Sequence, residues 1–136
     1  MTRAFAVFAA ALTATLTLAA PAWAQTSPVG LWKTIDDDGK TEKSLVRITE
    51  SGGVLSGKVE KIFEVAKQNE VCDDCKDERK GQRIQGMTII RNAKADAKAE
   101  LWEGGDILDP ANGKVYRLRL KPLDGGKKLE IGRAHV

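Results

Sequence analysis

The thiol chemistry of this chain is confined to one short stretch, Cys72-Asp73-Asp74-Cys75, which holds its only two cysteines. Three chemistries fit that spacing. An even count in an oxidising compartment reads as a structural disulfide, and closing so small a loop contributes about 2 kcal/mol, less any strain. A dithiol redox pair needs its thiolate favoured by cations or a helix N-terminus. Here Asp73 and Asp74 lie between the thiols, and Asp77 and Glu78 stand just beyond. A zinc site needs about two further ligands, and the single histidine, His135, lies in an aberrant tail. The disulfide is the expectation, with the redox pair and the metal site open beside it.

Ring faces suit apolar or sugar-like ligands, so Trp32, Trp102 and Tyr116, with Leu118, are the candidate lining of a ligand cavity. The same side chains would also fill and plug a small barrel, and for Trp32 that is the preferred reading. Tyr116 needs a partner for its hydroxyl if it faces inward. Asp106 and Asp109 raise the question of paired carboxylates doing acid–base work. Asp109 precedes Pro110 in a turn, where bonding its own backbone is its common task. Asp106 is expected on a strand, facing away from Leu108. No serine or cysteine is paired with a trustworthy histidine, so the chain is read as a non-enzyme with no catalytic residues, no metal and no cofactor. The acidic run Asp36-Asp37-Asp38-Gly39 lacks the alternating ligands and distal glutamate of a calcium loop, and is read as a turn.

Acidic and basic residues are interspersed for a formal charge of +3, with no basic stripe to mark a nucleic-acid surface. The first 24 residues stand apart: Arg3, an apolar run over 4–20 broken only by threonines, then Pro21-Ala22-Trp23-Ala24. Alanine at positions −3 and −1 completes a secretory signal peptide over residues 1–24, the alternative being an uncleaved anchor. Beyond it no apolar run is long enough to span a bilayer. Residues 25–130 are therefore read as one exported, periplasmic domain. Residues 131–136, Ile131-Gly132-Arg133-Ala134-His135-Val136, break the preceding pattern and back-translate into a sequencing-library adapter. They are expected to be a non-native tail, and His135 then carries no functional information.

Elements of period two must position these residues. Strands are expected over 30–35, 44–50, 55–64, 84–91, 100–108, 114–121 and 127–130. In the third, Leu55, Gly57, Val59, Lys61 and Phe63 should share a side. In the sixth, Tyr116, Leu118 and Leu120 should face inward, with Arg117, Arg119 and Lys121 outward. Gly104-Gly105 predicts a bulge or bend. Residues 66–83, with both cysteines, interrupt the meander, and 93–101 reads as a loose loop. Seven short sequential strands point to an up-and-down barrel.

The motifs extend the reading. Gly30-Leu31-Trp32 resembles the G-x-W signature of the calycin superfamily, which includes lipocalins. More specifically, the chain resembles the bacterial exported family catalogued as domain of unknown function 2147. The resemblance is carried by Gly53-Val54-Leu55-Ser56-Gly57-Lys58-Val59, Cys72-Asp73-Asp74-Cys75, Gly86-Met87-Thr88-Ile89, Trp102-Glu103-Gly104-Gly105-Asp106-Ile107-Leu108-Asp109-Pro110 and Asn112-Gly113-Lys114-Val115-Tyr116. It implies an all-β fold, a small antiparallel lipocalin-like barrel in the periplasm, with a cavity and no established activity. Members typically end in a strand carrying Arg, Thr and Trp. Nothing like it follows Glu130, so the last strand of the barrel is expected to be missing. The expected function is binding of a small apolar or amphipathic ligand. The alternative is a structural or interaction module of the cell envelope without a ligand. An open apolar pocket of several hundred Å3 favours the first, and a packed interior the second.

Overall fold

Alternation of apolar and polar residues produces seven strands. The computed structural model describes residues 27–96 and 101–134; the signal-peptide stretch 1–24 and His135 lie outside them. The strands are β1 (Gly30–Ile35), β2 (Glu42–Ser51), β3 (Val54–Ile62), β4 (Thr88–Asp96), β5 (Leu101–Asp109), β6 (Lys114–Leu123) and β7 (Lys128–Ala134). Each pairs antiparallel with its neighbours in sequence, in the order β1 to β7. The result is a nearly closed, all-β barrel. Among the described residues no ladder joins β1 to β7.

Register settles which side chains face the interior, because directly paired residues share a face. Trp32 pairs with Val46 and Val46 with Val59. Ile48 pairs with Gly57, Gly57 with Ile90, Ile90 with Ile107, and Ile107 with Tyr116. Further along, Ala95 pairs with Trp102 and Trp102 with Leu120. Glycine at 57 is a packing requirement: a Cβ there would sit 2.9 Å from the Ile90 side chain. Gly104, at φ +81°, lies in the register shift between Glu103 and Asp106, the expected irregularity.

The structure corrects the strand boundaries in three places. Residues 84–87 belong to the connection before β4; the fourth strand runs on through Ala93 to Asp96, where a loose loop was expected. Ala93, which reads as loop material, is there because a small residue fits, buried opposite Leu55, while Ala95 pairs across from Trp102. In β3 the pairing skips Glu60 across from the Leu45/Val46 step. That bulge turns Ile62 toward the core and leaves Lys61 exposed, so Lys61 and Phe63 do not continue the Leu55 face. The last strand is longer than 127–130, since residues 131–134 continue in register against Arg117–Leu120.

Candidate functional site

Along the barrel axis the interior changes character. At the end formed by the β2–β3 turn and the β6–β7 connection it is filled: Ile48, Leu55, Ala93, Trp102, Leu118 and Leu120 are all buried. At the opposite end the inward residues are only half-buried, among them Thr34, Ser44, Ile62 and Tyr116. Ser44 pairs with both Thr34 and Ile62, so these three line one arc of the rim. The Thr34 and Ser44 hydroxyls are hydrogen-bonded at 2.7 Å. Tyr116 receives a hydrogen bond from Asn112 Nδ2 at 3.2 Å, and the Arg133 guanidinium stands 5.6 Å from its ring centroid. Arg133 also donates to Asp109 Oδ2 at 3.4 Å. The interior is thus a cup with a dry floor and a polar-tipped rim.

Outside the barrel, residues 63–87 fold into a bridged annex. Since Ile90 and Ile107 face inward, their neighbours Ile89 and Leu108 face out, yet both are buried. The annex covers them. Cys72 and Cys75 form a disulfide with both residues buried, and Cys72 Sγ lies 3.8 Å from the Pro110 carbonyl oxygen. The fit is tight at Gly113, where a Cβ would come within 1.9 Å of the Asp74 carbonyl oxygen. Arg79 anchors the annex. It is 3% exposed, donates to the Thr88 carbonyl at 3.0 Å, and pairs with Asp77 at 2.5 Å. That hydrogen bond, above all, lowers the Asp77 carboxyl to about 2. Arg91 pairs with Glu78 and helps hold its carboxyl below the usual range, after a backbone hydrogen bond.

The sequence-predicted residues separate into three groups. Trp32 and Tyr116 face the interior and are half-buried, and the Trp32 indole N–H donates to the Pro28 carbonyl at 2.6 Å. Trp102 and Leu118 face the same interior but lie in the packed core. Cys72 and Cys75 are bridged, away from the cup. The carboxylates do not converge. Asp109 accepts a hydrogen bond from the Ala111 backbone N–H at 3.0 Å, as its turn position suggests. Asp106 shares the outer face with Leu108 rather than opposing it, because residues two apart on a strand point the same way. It pairs laterally with Arg91 and Arg117, and its Oδ1 is buried without a hydrogen-bond partner. The acidic run 36–39 is a self-capped turn, with Asp38 Oδ1 accepting from the Lys40 and Thr41 backbone N–H groups at 2.7 Å each. Among the described residues no group of three or more His, Cys, Asp or Glu side chains is placed to hold a metal ion.

Sequence reasoning missed Arg79, for no local pattern distinguishes a buried arginine from its solvated neighbours. It also missed an open cleft of about 660 Å3 over β5–β7, lined by Glu103, Gly104, Arg117, Leu118, Arg119, Gly132 and Arg133. Three arginines and a glutamate set charges around that cleft, with the apolar Leu118 in its lining.

A nearly closed antiparallel barrel with a filled base and an open rim is the architecture of a lipocalin-like protein. The chain belongs to the family described as uncharacterized protein conserved in bacteria, domain of unknown function 2147, whose model matches residues 30–133. Among solved structures it is similar to protein HP1028 of Helicobacter pylori, described as belonging to the lipocalin family. The TM-score is 0.68 at 15% identity, over 82% of this chain and 74% of that one. No curated protein matches the sequence.

Proposed function

We propose that this protein is an exported, periplasmic binder of a small amphipathic ligand, acting by binding rather than catalysis. The observation that carries the reading is the gradient inside the cup. Trp32, Ile62 and Tyr116 offer part of their apolar surface at the rim, packed against the core but not enclosed. The Thr34 and Ser44 hydroxyls, with the Tyr116–Asn112 pair, offer hydrogen bonds at the same end. An amphipathic molecule would satisfy both at once. The filled floor limits its depth, so Trp102 and Leu118 serve as a base and the ligand is a short one. Native mass spectrometry of protein purified from periplasm should show a bound mass that Tyr116→Ala loses. Recovery of only the bare chain, together with no change in tryptophan emission on titration with a short-chain fatty acid, would defeat the reading.

A second reading, an envelope interaction module without a ligand, is favoured by one observation. The large interior side chains Leu55, Trp102, Leu118 and Leu120 are already buried against one another, as in a barrel whose function lies on its outer surface or edges.

A further inference from the structure

The turn between β5 and β6, residues 109–113, is gripped from two sides. On its outer side stands the loop closed by the Cys72–Cys75 bridge. Cys72 Sγ lies 3.8 Å from the Pro110 carbonyl oxygen, and the Asp74 carbonyl leaves no room for a Cβ at Gly113. On its inner side Asn112 Nδ2 donates to the Tyr116 hydroxyl at 3.2 Å, at the mouth of the cup. Between the two the turn is tied up. The Gly113 N–H donates to the Asp109 carbonyl at 2.8 Å, and Asn112 Oδ1 accepts from the Lys114 N–H at 2.8 Å. Moving Asp74 therefore moves Asn112 and the hydroxyl it holds, because close-packed segments transmit displacement.

The bridge is what fixes Asp74. Cys72 is anchored to the annex twice: its N–H donates to the Gln82 carbonyl at 2.9 Å, and its carbonyl accepts from the Gly81 N–H at 2.8 Å. Among the described residues, 74–76 make no backbone hydrogen bond. The covalent link to Cys72 is thus what holds that stretch of chain against the turn. Both cysteines are buried, and two thiols need more room than one disulfide, since bonded sulfurs become sulfurs in van der Waals contact. The approach of Asp74 to Gly113 supplies no room on that side. The yielding side is solvent, where Asp73 and Asp74 are exposed.

We infer that the Cys72–Cys75 bridge is a redox-sensitive clasp on the mouth of the cup. Closed, it presses the annex loop onto the β5–β6 turn and sets Tyr116 through Asn112. A dithiol reductant opens it by exchange when the exposed 73–74 stretch lifts. One reductant thiolate attacks a bridge sulfur to give a mixed disulfide, and its second thiol then releases the protein sulfur. Two electrons and two protons pass to Cys72 and Cys75 as the reductant closes to its own disulfide. The consequence for a ligand rests on the cup-binding reading; the movement of the rim does not.

Tyr116 is the chain's single tyrosine, so protein grown with 3-fluorotyrosine gives one fluorine resonance, from the rim. Folded protein treated with dithiothreitol should titrate as two thiols and move that resonance. Amide exchange of Gly113 and Lys114 should quicken at least about tenfold, with the amides of β2 and β3 unchanged. The double variant Cys72→Ser, Cys75→Ser should match the reduced protein without reductant, and in Asn112→Ala the resonance should no longer respond. A bridge that resists dithiothreitol in the folded protein, a resonance indifferent to reduction, an equal shift in Asn112→Ala, or faster exchange spread over β2 and β3 would each overturn the inference. An octanoate titration keeps the two readings apart. No binding by either form defeats the ligand reading and leaves the resonance to decide the clasp, whereas equal binding by both forms overturns the clasp as a control on the cup.

Discussion

The middle of the sheet and its two ends are built from the same kind of strand, but they are finished differently. β4 and β5 carry buried side chains on both faces, Ile90 and Ile107 in the barrel core and Ile89 and Leu108 on the outer face under the bridged annex. Among the described residues β1 and β7 each pair along one side only, and the inward-facing Ile131 of β7 is 41% exposed. A strand walled on both faces must accept tight constraints at every neighbour. A strand at the seam tolerates change because solvent takes up the difference. The annex, which the sequence presents as a polar interruption, is what creates that asymmetry.

The largest expected effect lies at the annex contact. Gly113→Ala places a Cβ against the Asp74 carbonyl oxygen at φ +71°, which should lower stability by about 3–4 kcal/mol. Gly52→Ala, also at positive φ but in open space, should cost about 1 kcal/mol from backbone strain alone. Urea unfolding of both variants makes the comparison, and equal midpoints would mean the annex is not docked.

Next comes Arg79→Ala, which strands the Thr88 carbonyl and leaves the Asp77 carboxylate only the residue-79 backbone N–H. The expected loss is about 2–3 kcal/mol. At the seam the exposed Lys33–Glu42 pair, at 2.8 Å, is the control; Lys33→Ala should change stability by about 0.5 kcal/mol or less. Matching losses in thermal melts would erase the distinction between middle and edge.

Removing the bridge is milder. The double variant Cys72→Ser, Cys75→Ser should lower stability by about 2 kcal/mol or less, because the closed loop is short. The barrel should stay folded by far-ultraviolet circular dichroism. Loss of the β signal would show that the sheet itself depends on the annex.

A smaller effect than loss of the bridge is acid lability. The Asp77 carboxyl falls from 3.8 to about 2 on folding, so the unfolded chain takes up the proton first as pH drops. Its contribution is complete above about pH 4 and is lost as pH falls toward 2. With 32% of the side chain in water, this is discounted to about 1 kcal/mol. Asp77→Asn should flatten that part of the stability–pH curve, and an unchanged slope between pH 4 and 2 would remove the pair from the account.

Much of the fold was legible because alternation is local. The β6 pattern, with Leu118 and Leu120 inward and Arg117 and Arg119 outward, needed only residue order, and the Gly104-Gly105 irregularity needed only glycine. What was hidden depends on partners distant in sequence. The Ala93 and Ala95 strand looks like a loop until Leu55 and Trp102 are placed opposite it. The bulge that turns Ile62 inward is set by β2, not by β3 itself. Of the candidate site, the rim residue Tyr116 and the plug Trp32 were visible as aromatics on alternating strands. Their contrast with Trp102 and Leu118 was not, because burial depends on where along the axis a residue falls. Arg79 had no signal, since its burial comes from the annex folding back on β4.

The strand order carries one last consequence, for the timing of assembly. Every sheet pairing joins consecutive strands, so each can form as its second member becomes available, without waiting for distant sequence. The annex is the exception: Asp74 and Cys72 meet Gly113 and Pro110, 38 residues on in the case of Cys72 and Pro110. A chain emerging from its N-terminus would thus have to leave the contacts of Cys72 and Asp74 open until the β5–β6 turn exists. Closing that contact is a late event, and until then Ile89 and Leu108 are the surfaces a chaperone would find.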